Sequence, residues 1–139
     1  MSGSSFGDIL LDAIERKRSH VAVGLDPELS LLPPELRSAH GLAEDHDDHA
    51  VVACYEEFLT GILETLVDEA AVVKLQIAYF EALGVAGYAL YERMVRAANE
   101  MGYVVIGDVK RGDIGSTAEA YTKAHLDGTA VHAVTLNPY

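Results

Sequence analysis

Cysteine is nearly absent: Cys54 is the single one in 139 residues, so no intrachain disulfide can form. Proline is scarce, four in all, and Pro27, Pro33 and Pro34 all fall within residues 27–47, marking a long connection there. No apolar run approaches the roughly 18 residues that a membrane span requires. The opening Met-Ser-Gly-Ser-Ser-Phe-Gly-Asp lacks the form of a secretory signal, so the expectation is a cytoplasmic protein. Positive charge is also in short supply. Ten Lys and Arg face 22 Asp and Glu, for a net charge of −12, which repels phosphate backbones and argues against general nucleic-acid binding. The lysines are Lys17, Lys74, Lys110 and Lys123, so a small phosphorylated substrate has few cations to meet. Such an acidic, lysine-poor composition also suits a salt-adapted surface. What the chain does have is apolar residues, 50% of the total, enough for one domain with a real core.

The patterning alternates between two periods. Ser5 is placed to cap a first helix, with Asp8 in its first turn, an apolar stripe of Phe6, Ile9, Leu10, Ala13 and Ile14, and Arg16, Lys17 and Arg18 at its end. Val21–Asp26 reads as a buried strand that exits at Asp-Pro. A helix starts at Asp47 or Asp48 and carries Val51, Val52, Tyr55, Phe58, Leu59, Ile62, Leu66 and Val67 at helical spacing. Ala71–Gln76 is a second strand. The next helix covers roughly residues 85 to 101, with Ala86, Leu90, Met94, Ala97 and Ala98 inward and Gly102 as its stop. Tyr103–Lys110 is a third strand, Ser116 and Glu119 suggest a capping box for a helix over 117–126, and Val131–Leu136 is a fourth strand.

Strands this apolar suit burial on both faces, and the alternation with helices gives a parallel α/β fold. An open doubly wound sheet and a (β/α)8 barrel both begin this way. Asp26, Lys74, Asp108 and Lys110 fall at the C-terminal ends of strands, where barrel active sites gather, and no G-x-G-x-x-G turn follows the first strand. The expected architecture is a (β/α)8 TIM barrel, of which residues 1–139 supply about the first four strands. A barrel typically needs about 250 residues, so the expectation is the N-terminal half of one barrel domain, a fragment or truncated product.

The stretch richest in chemistry is Asp108-Val-Lys110-Arg-Gly-Asp113-Ile-Gly-Ser-Thr117. Residues two apart on a strand share a side, so Asp108 and Lys110 face the same way, with Asp113 on the loop beyond. Two carboxylates around a buried lysine favour its ammonium form, which suits a proton donor and not a Schiff-base amine. A structural ion pair inside a barrel is the plainer reading, though three buried charges together are costly.

The run from Val105 through Ala118 resembles the signature of orotidine 5′-phosphate decarboxylases. Val23-Gly-Leu-Asp26-Pro27, Val73-Lys74-Leu-Gln-Ile-Ala-Tyr-Phe-Glu81 and Val134-Thr-Leu-Asn-Pro-Tyr139 are similar to that family's first, second and fourth strand ends, in its longer-chain branch. The resemblance implies a role for each matching residue. Lys110 protonates the pyrimidine carbon that loses carbon dioxide, with Asp108 against the departing carboxylate. Lys74 orients Asp108 and reaches the ribose, and Asp26 bonds a ribose hydroxyl. Asp113 and Thr117 enter a site shared across a homodimer. It further implies no metal and no organic cofactor, and a substrate phosphate held by loops after the later strands.

Other candidates are weaker. His40, Glu44, Asp45, His46, Asp47, Asp48 and His49 suit a solvated connection ahead of a helix N-terminus more than a metal site. His20, His125 and His132 have no ligand spacing, Cys54, Tyr79 and Phe80 read as packing, and Arg111 as exposed or at an interface. A magnesium-dependent sugar-phosphate decarboxylase or aldolase of the same superfamily shares Asp-x-Lys-x-x-Asp but carries a metal-binding glutamate where Lys74 stands. An inactive half-barrel that acts only by association is the alternative from another class.

Overall fold

The structure, a computed structural model, describes residues 5–42 and 47–138. Glu44, Asp45 and His46 of the acidic connection, and Tyr139 of the fourth-strand motif, lie outside the described residues. Helix α1 (Phe6–Lys17) opens with the expected cap: Ser5 Oγ accepts the Asp8 N–H and the Asp8 carboxylate accepts the Ser5 N–H. Strand β1 (Ala22–Leu25) follows, and the proline-rich connection folds a single 3-10 turn, Leu29–Leu31, and a short helix, α2 (Pro34–Ala39). That helix was not expected. Pro34 occupies its first turn, where a missing N–H costs nothing, so a proline that reads as a breaker acts as a starter.

Helix α3 (Asp48–Thr65) is capped by Asp47, whose side chain accepts the His49 N–H. Strand β2 (Val72–Gln76) runs directly into the short helix α4 (Ile77–Glu81), and Gln76 caps it by accepting the Ala78 N–H through its own side chain. Helix α5 (Gly84–Glu100) ends at Gly102 with φ 76, the expected stop. Strand β3 (Val104–Arg111), helix α6 (Gly115–Thr122), a π-helical turn over Lys123–Gly128 and strand β4 (Ala133–Leu136) complete the order.

The Ser116–Glu119 capping box does not form. Gly115 turns the chain at φ 56 and the helix starts there, two residues earlier than expected, after Ile114, and no side chain caps it. The helix expected over 117–126 also changes character at Lys123, where it widens into the π turn.

The four strands form one parallel sheet in the order β1-β2-β3-β4. Helices α3 and α5 cover its outer face: Leu25, Val73, Leu75, Val105 and Val109 pack there with Leu59, Leu63, Leu90, Met94 and Ala98. Cys54 and Phe80 lie in that core, as their packing role required. Helix α1 instead covers the N-terminal end of the opposite face, where Ala13 meets Val72 and Val104. Burial on both faces, expected from the apolar strands, is therefore incomplete. Ala22 and Gly24 are exposed, and Lys74, Ile106 and Thr135 are half-buried, because among the described residues no helix covers the inner face beyond α1.

Candidate active site

The register that pairs Lys74 with Ile106, and Gln76 with Asp108, brings the polar ends of β2 and β3 together. Asp108 is 5% exposed and gathers four side-chain donors. Its Oδ2 accepts from Lys74 Nζ at 2.7 Å and Gln76 Nε2 at 2.9 Å. Its Oδ1 accepts from Lys110 Nζ at 2.5 Å and Thr135 Oγ1 at 2.8 Å. Lys74 Nζ also lies 3.9 Å from Asp26 Oδ1, at the exit of β1. Lys110, Asp108, Lys74 and Asp26 thus form one alternating row of charge across three strand ends.

Burial alone pushes the Asp108 carboxyl up, but donation from Lys110, Lys74 and Thr135 outweighs it and holds the group well below the usual carboxylate range. The consequence for stability has a definite sign. A depressed folded-state value means that ionised Asp108 stabilises the protein above its ordinary value of 3.8, and that this contribution is lost as pH falls below it. Asp108→Asn is therefore expected to flatten the dependence of the melting temperature on pH between about 4 and about 2 relative to the unsubstituted protein. Parallel acid-limb slopes in thermal melts of the two proteins would contradict this.

Two expectations need correction. Lys110 is not buried, its side chain being 57% exposed, and it is not bracketed by two aspartates. Asp113 is exposed and its Oδ1 accepts the N–H of the adjacent Ile114 at 2.8 Å, with no contact to Lys110. The chain turns too sharply for one: Lys110 sits at φ 46 and the β3–β4 register shifts between Gly107 and Arg111. Thr117, on α6, is likewise exposed and apart from the charged row.

Three further residues, Gln76, Thr135 and Asn137, belong to the site. Gln76 was visible in principle, two residues beyond Lys74 on the same strand and so on the same face. Thr135 and Asn137 gave no such signal, since their roles depend on the shifted register. Thr135 Oγ1 accepts the Lys110 N–H at 3.0 Å while donating to Asp108, and Asn137 Nδ2 donates to the Lys110 carbonyl at 3.1 Å. Among the described residues no group of three His, Cys, Asp or Glu is arranged to hold a metal ion, and His40 is instead paired with Glu57 at 2.8 Å.

Residues 19–139 match the profile of the orotidine 5′-phosphate decarboxylase / HUMPS family. The chain belongs to that family. Among curated relatives, an orotidine 5′-phosphate decarboxylase of Clostridium kluyveri is 42% identical over 124 residues, covering 88% of this chain and 40% of the relative. One of Petrotoga mobilis is 40% identical over 133 residues, covering 95% and 43%. Among solved structures, a protein of Streptomyces avermitilis described as a putative orotidine 5′-phosphate decarboxylase superposes with a TM-score of 0.78 at 38% identity, over 100% of this chain and 46% of that one. The chain therefore spans less than half the length of these family members. Its fold is that of the first four strands of a (β/α)8 barrel, and a solved structure from Plasmodium yoelii, described as a putative orotidine-monophosphate-decarboxylase, supports that fold at a TM-score of 0.84 and 17% identity.

Proposed function

We propose that residues 1–139 are the N-terminal half of a single barrel domain that converts orotidine 5′-phosphate to uridine 5′-phosphate and carbon dioxide, a step of pyrimidine biosynthesis. The single observation that carries the reading is the Asp108 carboxylate held between two ammonium groups at the C-terminal end of the sheet, in a chain of this family. In the proposed step the bond from the pyrimidine ring to its carboxylate breaks, the electron pair stays on the ring carbon, and Lys110 Nζ delivers a proton to it. Carbon dioxide leaves, and Lys110, being open to solvent, regains its proton there.

The physical case rests on where charge develops. A fixed ammonium beside the forming carbanion stabilises the transition state more than the ground state. Asp108 facing the substrate carboxylate adds a repulsion of about 4 kcal/mol at roughly 4 Å and an effective dielectric of about 20. That is short of the roughly 8–23 kcal/mol that enzymes supply. Lys110 and binding of the remote phosphate must therefore carry more. Lys74 is placed to hold Asp108 and to reach a ribose, with Asp26 beside it. Asp113 and Thr117 stand exposed on the loop and helix that follow, as residues of a site shared by two copies would, and Ile114 between them is 86% exposed.

Release of carbon dioxide and loss of the substrate's ultraviolet absorbance, measured on the protein that carries this chain, test the proposal. A second measurement separates it from the magnesium-dependent relatives. With a cation, Lys74, at the end of β2, chelation by EDTA is expected to leave turnover unchanged. Loss of turnover with EDTA, restored by magnesium, would transfer the chain to those relatives.

A further inference from the structure

The end of β3 is strained and braced from both sides. Lys110 adopts φ 46, in the left-handed region that residues other than glycine rarely enter, and such a conformation persists only where its surroundings enforce it. Thr135 on β4 and Asn137 just beyond it grip the Lys110 peptide groups. Arg111 grips the turn from the other face of the strand. Its Nη1 donates to the Val109 carbonyl at 2.7 Å, the peptide group that joins Val109 to Lys110, and its Nη2 pairs with Glu81 Oε1. The Tyr121 ring on α6 lies 5.9 Å from the guanidinium carbon.

Glu81 is the last residue of α4, which starts directly after Gln76. The Glu81–Arg111 pair therefore ties the end of the strand bearing Lys74 and Gln76 to the end of the strand bearing Asp108 and Lys110. An exposed ion pair by itself stabilises little. This one is joined to a carbonyl inside the strained turn, and it lies behind the charged row without touching it.

We propose that Arg111 is a positioning residue: it holds the 109–110 peptide in the left-handed turn that sets Lys110 Nζ on Asp108, and Glu81 fixes Arg111 in place. This rests on the reading of Lys110 as the proton donor. The side of β3 away from the charged row then controls the placement of the reacting ammonium through the Arg111–Val109 hydrogen bond and the Arg111–Glu81 pair.

The test uses Arg111→Met, Arg111→Lys and Glu81→Gln in the protein that carries this chain, read by steady-state kinetics on orotidine 5′-phosphate and by amide hydrogen exchange. Arg111→Met is expected to lower kcat about 100-fold with KM changed less than about threefold, as a small misplacement of a reacting group does. Exchange at the Lys110 amide is expected to quicken about tenfold while the Val23 and Val73 amides keep their rates, the mark of a local opening. Arg111→Lys restores part of kcat. A kcat near that of the unsubstituted protein, or quickened exchange throughout the sheet, overturns the proposal. If the unsubstituted protein does not turn over orotidine 5′-phosphate, the functional reading fails, and exchange at Lys110 alone decides the brace. Should Arg111→Met not fold, Glu81→Gln is read the same way, and an unchanged Lys110 exchange rate in it overturns the proposal.

Discussion

Lys110→Ala is expected to lower turnover of orotidine 5′-phosphate by at least about 100- to 1000-fold while uridine 5′-phosphate still binds, because a fixed charge aimed at a developing anion acts chiefly in the transition state. Among the described residues its Nζ is the only cation on Oδ1 of Asp108, at 2.5 Å, whereas Lys74 holds the opposite oxygen at 2.7 Å. Neither lysine can therefore take over the other's position. Lys123→Ala, on the π turn and exposed, serves as the control that removes the same charge elsewhere and is expected to leave turnover intact. Comparison of kcat and of product affinity for the two variants settles the assignment. Retention of even about a tenth of the original turnover by Lys110→Ala would remove Lys110 from the role, since the expected loss is about 100-fold or more.

How far the charged row was legible in the sequence depends on the period of each element. The rule that residues two apart on a strand share a face placed Asp108 beside Lys110, and the same rule covers Lys74 and Gln76. It holds in spite of the register shift, because the left-handed turn at Lys110 keeps the side chain over Asp108. The strands, the three longer helices and the parallel order followed from apolar periodicity, and the packing of Leu90, Met94 and Ala98 followed from helical spacing. Other features had no local cause to read. The brace by Arg111 requires Glu81, 30 residues away, and the contact of Thr135 with Asp108 spans 27 residues. Capping was read correctly at Ser5 and wrongly at Ser116. Both have the right residue types, but Gly115 takes a positive φ that moves the start of α6.

A polypeptide of these 139 residues prepared alone is expected to self-associate or to remain loosely packed, and to bind uridine 5′-phosphate at least about 100-fold more weakly than a longer relative, since remote phosphate contacts supply much of the binding energy used at the reacting centre. Among the described residues β1 and β4 are the edges of the sheet, and a parallel edge offers unpaired N–H and C=O groups to any other chain. Apolar surface accompanies them: Val21 is 52% exposed beside β1, Leu136 68% on β4 and Ile114 86% on the loop above. Exposed apolar surface of this kind drives association, and incomplete packing weakens near-ultraviolet dichroism and admits hydrophobic dyes. Two copies joined edge to edge would bring two Asp108–Lys110 sets together yet add no new loop for a phosphate, which the family resemblance assigns to later strands. Sedimentation gives the association state, and titration calorimetry gives the affinity. A well-packed monomer that binds the nucleotide as tightly as the longer relative does would mean that the four strands and their charged row suffice on their own.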